Sequence, residues 1–208
     1  CRYDLPGWQA LQNELGDAVA FIAVAFDDSA ADVEPFAEGI DLPVLLDRHH
    51  VLSETLAVSN VPTVVWVDEA DRIVVPNWVA FSNDLFTEFH GLESGPALDA
   101  IRTWVRSDVV PAELAVDPSV IGDLSEDEES ARLWFRLAVE LRRNGDDEAA
   151  GRLFARAGEL APLDFTIRRA TMPLVNDDPF GGSFFELYGE WEAAGRPYHG
   201  IGSGPTAS

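Results

Sequence analysis

Cys1 is the only cysteine in the 208-residue chain and opens the run Cys1-Arg2-Tyr3-Asp4-Leu5-Pro6; the tripeptide Val61-Pro62-Thr63 follows further along. A disulfide oxidoreductase of the Cys-x-x-Cys kind places its attacking thiol at a helix N-terminus, where partial positive charge stabilises the thiolate. A second sulfur one turn further on resolves the mixed disulfide. A helix that begins at or just before Cys1 holds a sulfur at that second position, so the chain carries one thiol of the two that the chemistry needs. Asp4, three residues on, shares a helix face with Cys1 at a Cβ separation of roughly 5–6 Å. A carboxylate there would exchange a proton with a buried thiol. It would also raise the thiol pKa by like-charge repulsion, which suits a resolving sulfur better than an attacking one. Asp4 reads equally as a first-turn acid that favours the helix dipole. Pro6 then falls in the helix interior, where it removes the bond to the Arg2 carbonyl and bends the helix.

Val61-Pro62-Thr63 has two readings. It is a loop entering a strand, where proline is tolerated, or a cis Val61–Pro62 turn that leaves the Val61 backbone to pair with an extended substrate.

The elements that would position these residues alternate along the first half of the chain. Leu5, Trp8, Leu11 and Leu15 recur at helical spacing, predicting a helix over 1–15. The unbroken apolar run 18–26 predicts a strand covered on both faces. A helix over 31–38, a strand over 42–47 and a helix over 50–56 follow, then strands over 63–67 and 72–75 joined by the turn-forming Asp68-Glu69-Ala70-Asp71. A helix over 96–105 closes the series, with Leu98, Ile101 and Val105 on one stripe. This alternation predicts an α/β sandwich. Residues 107–125, with Pro111, Pro118 and Gly122, read as a linker, and the chain beyond is helical.

Composition narrows the partners. The 37 acidic and 14 basic residues give a formal charge of −23, and every basic residue is arginine. That excess disfavours nucleic acid and an anionic membrane surface as partners, and the apolar runs fall short of the roughly 20 residues of a membrane span. One cysteine and four scattered histidines are too few for a zinc site, and no cofactor is expected; His49, His50, His90 and His199 read as surface residues. No signal peptide is visible in these residues.

The order of elements and the two motifs resemble the thioredoxin-like disulfide reductases of the TlpA/ResA type, over residues 1–106. That family's active-site helix reads Cys-x-x-Cys-Arg/Lys-x-Glu-x-Pro, and Cys1-Arg2-Tyr3-Asp4-Leu5-Pro6 is similar to its second half. The resemblance implies that Cys1 is the resolving cysteine, that Asp4 stands for the acidic proton relay, and that Val61, Pro62 and Thr63 form the substrate-binding cis-proline loop. It implies a Cys or selenocysteine nucleophile three residues before Cys1. It also implies a protein or small thiol/disulfide substrate. Asp in place of Glu at position 4 departs from the pattern. The fold class expected is thus α/β, a thioredoxin-like sandwich incomplete at its N-terminus, from a fragment of a longer protein. An all-α region over 126–208 with a disordered tail follows it.

In that region Trp134, Leu137, Ala138, Leu141, Gly145, Ala150, Phe154, Ala157 and Pro162 match the positions of a roughly 34-residue tetratricopeptide unit, one clear copy, with a protein partner as its expected ligand. By itself this chain is expected to be inactive as a reductase. The compartment stays open between extracytoplasmic and cytoplasmic. Two rival readings are a non-catalytic binding or scaffold protein, in which Cys1 is incidental, and a lipoprotein lipidated at Cys1. A peroxiredoxin is disfavoured because its Pro-x-x-x-Thr/Ser-x-x-Cys run does not occur.

Overall fold

The computed structural model describes residues 2–117 and 124–201. The fold is mixed α/β, with helices predominating and two small sheets. Among the described residues, those up to Arg48 and from Pro62 to 117 form one compact unit, and His49–Val61 with 124–201 form the other.

The first unit opens with a 3-10 turn, Arg2–Asp4, followed by α1, Leu5–Leu15. This corrects the expectation of one bent helix with Pro6 in its interior. The winding changes ahead of Leu5, so Pro6 lies in the first turn of α1, where an N–H has no intrahelical acceptor to lose. β1, Ala23–Ala25, runs parallel to β2, Val44–Leu46, with Val24 opposite Leu45, and α2, Ala30–Ala37, connects them. β1 is shorter than the apolar run that encodes it because neighbouring backbone groups bond elsewhere. The Phe21 N–H donates to Gln12 Oε1 at 2.9 Å, and Gln12 Nε2 donates to the Val19 carbonyl at 2.9 Å. Gln9 Oε1 likewise accepts from the Asp41 and Leu42 N–H groups at 2.7 and 3.0 Å, so two glutamines of α1 fix the approaches to both strands.

β3, Val64–Val67, and β4, Ile73–Trp78, pair antiparallel. Asp68 closes their turn by accepting from the Ala70 and Arg72 N–H groups, each at 2.9 Å, and from the Arg72 guanidinium. Pro76 sits inside β4 because the strand has a ladder partner on one side only and because the register slips between Trp66↔Val75 and Val64↔Trp78. α4, Thr87–His90, and α5, Ser94–Ser107, follow. α5 covers the hairpin: Trp104 stacks on buried Trp66 at 4.9 Å, and Trp78 meets Trp66 edge-on at 5.8 Å. Arg102 and Arg106 of α5 grip Glu14 of α1 at 2.7 and 2.8 Å and hold its carboxyl below the usual carboxylate range. Within the segment read as a linker, Leu114 is buried, and its N–H donates to the Pro111 carbonyl at 2.9 Å.

The second unit contains α3, Val51–Thr55, then α6, Glu126–Arg143, α7, Asp147–Leu160, α8, Phe165–Leu174, and α9, Gly182–Ala193. α6 starts at a reciprocal cap between Ser125 and Glu128. Gly145 takes the left-handed conformation, φ 83°, that turns the chain into α7. Ala131, Phe135, Ala138, Ala150, Phe154 and Ala157 interlock in the core of this hairpin, while Trp134 and Leu137 stay exposed. Phe165, Met172, Phe184, Leu187 and Trp191 form the smaller core of α8 and α9.

Candidate functional site

The start of α1 is pinned from the far side of the first unit. Asp4 is buried, and its Oδ1 accepts from the Ser82 N–H at 2.9 Å and from Asn83 Nδ2 at 3.0 Å. Ser82 Oγ donates to the Asp4 carbonyl at 2.6 Å, and Asn83 Nδ2 donates to the Tyr3 carbonyl at 3.0 Å. Gly7 lets this contact close, because a Cβ there would come within 2.3 Å of Ser82 Oγ and 2.6 Å of its carbonyl oxygen. Asp4 does not cap α1 with its side chain. Its carboxylate instead locks residues 3 and 4, and so the helix start, to the loop at 82–83. Cys1 lies outside the described residues.

Sequence reasoning missed His90 beside this anchor. Its ring stacks on Phe81 at 3.9 Å and 6°. Nδ1 accepts from the Leu92 N–H at 3.1 Å, which leaves the proton of the neutral ring on Nε2, a buried atom with no hydrogen-bond partner among the described residues. Burial pushes the His90 pKa down, against the opposite pull of the Asp4 and Asp84 carboxylates. Asp84 is itself held below its usual range, chiefly by the Ser94 N–H at 2.7 Å. The expectation that all four histidines lie at the surface is corrected for His50 as well. It is buried, left-handed at φ 53°, and packed at 4.7 Å on the Phe135 ring. His50 carries no pattern signal, because Phe135, distant in sequence, packs on it, while His90 is half-buried by its contacts with Phe81 and Leu92.

Val61, Pro62 and Thr63 are half-buried, and Thr63 leads directly into β3. The Val61 N–H donates to Asn60 Oδ1 at 2.8 Å, so this donor is already engaged within the chain. The division between the compact units falls between Val61 and Pro62.

On the helical side, the residues leading into the tripeptide are clamped. The Val58 carbonyl accepts from Arg132 Nη2 at 3.1 Å and lies 3.2 Å from Thr166 Oγ1, and the Ser59 carbonyl accepts from the Phe165 N–H at 2.9 Å. Arg132 pairs with Asp164 at 2.8 Å, and the two side chains are 1% and 3% exposed. Asp164 Oδ1 accepts from the Thr166 N–H and Oγ1 at 2.8 and 2.6 Å, so the same carboxylate caps α8. Burial pushes the Asp164 carboxyl up, opposed first by Arg132 and then by these donors. Arg136 and Glu54 form a second ion pair between α6 and α3. An isolated arginine in an amphipathic helix reads as surface, and only its burial marks Arg132.

Among the described residues, no group of three His, Cys, Asp or Glu side chains is disposed to hold a metal ion, and no helix is long and apolar enough to cross a membrane. No protein-family model, curated protein or solved structure matches the chain.

Proposed function

We propose that this chain carries the resolving half of a thiol–disulfide oxidoreductase site on a thioredoxin-like unit, followed by a tetratricopeptide-like helical region. A nucleophilic cysteine or selenocysteine three residues before Cys1 attacks a substrate disulfide, forming a mixed disulfide and releasing one substrate thiolate. The Cys1 thiolate then attacks the nucleophile's chalcogen, which breaks the mixed bond, releases the second substrate thiolate and leaves the enzyme oxidised. Two electrons pass from the enzyme pair to the substrate, and Asp4 would take the Cys1 proton.

The observation that carries this reading is the buried Asp4 anchor. It fixes residue 4, and so the head of α1, against the loop at 82–83. The sheets support it. Among the described residues each has two strands, which alone are marginal in water, and Leu45 and Val67 are about half exposed on them, at 54% and 50%. One strand between β1 and β3 would join the pairs into a single mixed sheet of the kind the resemblance implies. The test is Cys1→Ser in the natural full-length protein during turnover of a protein disulfide. The variant should accumulate a mixed disulfide with its substrate, and turnover with no trapped species would overturn the reading.

A second reading, a non-catalytic binding protein, is favoured by a groove of about 280 Å³ between α8 and α9, lined by Arg168, Thr171, Met172, Glu186 and Glu190 among others. On that reading Cys1→Ser leaves partner capture unchanged.

A further inference from the structure

We infer that Arg132 is a positioning residue for the chain entering the Val61-Pro62-Thr63 loop: with Asp164 it fixes Val58 and, beside the Phe165 N–H bond to Ser59, the backbone up to Val61. The inference rests on the reading of this loop as the strand that pairs with substrate.

A buried ion pair is a poor device for stability alone, since well-packed apolar side chains of similar volume commonly serve as well or better. What it supplies is direction. The Arg132 guanidinium donates to the Glu128 carbonyl at 3.2 Å and to the Val58 carbonyl at 3.1 Å, while Asp164 holds the fork at 2.8 Å. Asp164 also accepts from the Thr166 hydroxyl at 2.6 Å, beside the Val58 carbonyl. One buried charged donor thus takes the backbone oxygen three residues before Val61, and the Phe165 N–H takes the next carbonyl. Immediately upstream, Ala57 is buried and left-handed at φ 51°. A residue with a Cβ adopts that conformation at a cost and keeps it only where its surroundings over-determine it. Arg136–Glu54 and His50 on Phe135 hold the preceding helix to the same face of α6.

The test compares the wild-type chain with Arg132→Met/Asp164→Asn, which removes both charges together, and with Thr166→Val, which removes the hydroxyl bond to Asp164 and keeps the ion pair. Two quantities are read: amide hydrogen exchange over residues 58–61 and, in the natural full-length protein carrying Cys1→Ser, the rate at which the upstream nucleophile forms a mixed disulfide with either an extended peptide disulfide or a small aromatic disulfide. Exchange should accelerate about tenfold in the double variant, as loss of one hydrogen bond from a charged donor predicts, and less in Thr166→Val. The half-saturating peptide concentration should rise by a similar factor, while the small disulfide reacts within about twofold of the wild-type rate. Unchanged exchange in both variants, or an equal fall with both disulfides, would overturn the positioning role. A wild-type chain with no saturation by the peptide would instead overturn the loop reading, whatever the exchange result.

Discussion

Arg132→Met alone should destabilise the helical unit by about 3 kcal/mol, toward the lower end of the range for breaking a buried ion pair. The Asp164 carboxylate would remain buried but would keep its bonds from Thr166 and Ile167, while the Val58 carbonyl would lose its Arg132 donor. Asp164→Asn preserves the Oδ1 acceptor that caps α8 but turns an amide donor toward the guanidinium, and should cost about the same. The double variant leaves no buried charge and should be no less stable than either single, a coupling of about 3 kcal/mol. The assay is a urea titration followed by amide exchange in α6 and α8, because a chain of two compact units need not unfold in one step. For a unit of this size the single variants should lower the thermal midpoint by about 12 °C or more. Additivity of the singles within about 0.5 kcal/mol would refute the coupled pair.

Other perturbations address the first unit. Asp4→Ala should cost about 1–3 kcal/mol in a denaturant titration, since it strands the Ser82 N–H and the Asn83 amide. Gly7→Ala gains about 1 kcal/mol of helix propensity. It should nonetheless destabilise by about 1–3 kcal/mol by overpacking, because its Cβ would meet Ser82 at 2.3 Å; a rise in thermal midpoint would refute that contact. His90 makes stability pH-dependent. Its folded pKa is depressed by burial, so below the unfolded value of about 6.5 the unfolded chain takes up a proton that the folded ring resists. Stability is lost as pH falls from that value toward the folded one, and His90→Phe should flatten this part of the stability–pH curve.

Local patterning made the elements legible. Period-3.6 apolar residues gave α1, α5, α6 and α7, and the Asn144-Gly145 turn lies where its left-handed glycine predicts. Strand limits were less legible, because they depend on which neighbour takes each backbone bond. Gln12 takes those of Val19 and Phe21, and β4 runs on through Pro76 at a register slip. Pro6 misled because helix type, unlike helicity, leaves no pattern. Asp4 was identified from its spacing to Cys1, but its partners Ser82 and Asn83 lie in a loop without periodicity. Arg132, Asp164 and His90 were invisible in the sequence because burial of a charged or aromatic polar side chain is a property of the tertiary fold. The chemistry assigned to Cys1 rests on spacing and resemblance.

The identity of the residue three positions before Cys1 in the natural protein, read by mass spectrometry of the peptide that contains Cys1, tests the central claim most directly. The account predicts cysteine or selenocysteine, linked to Cys1 in the oxidised protein. Any other residue there would contradict the assignment of Cys1 as a resolving thiol.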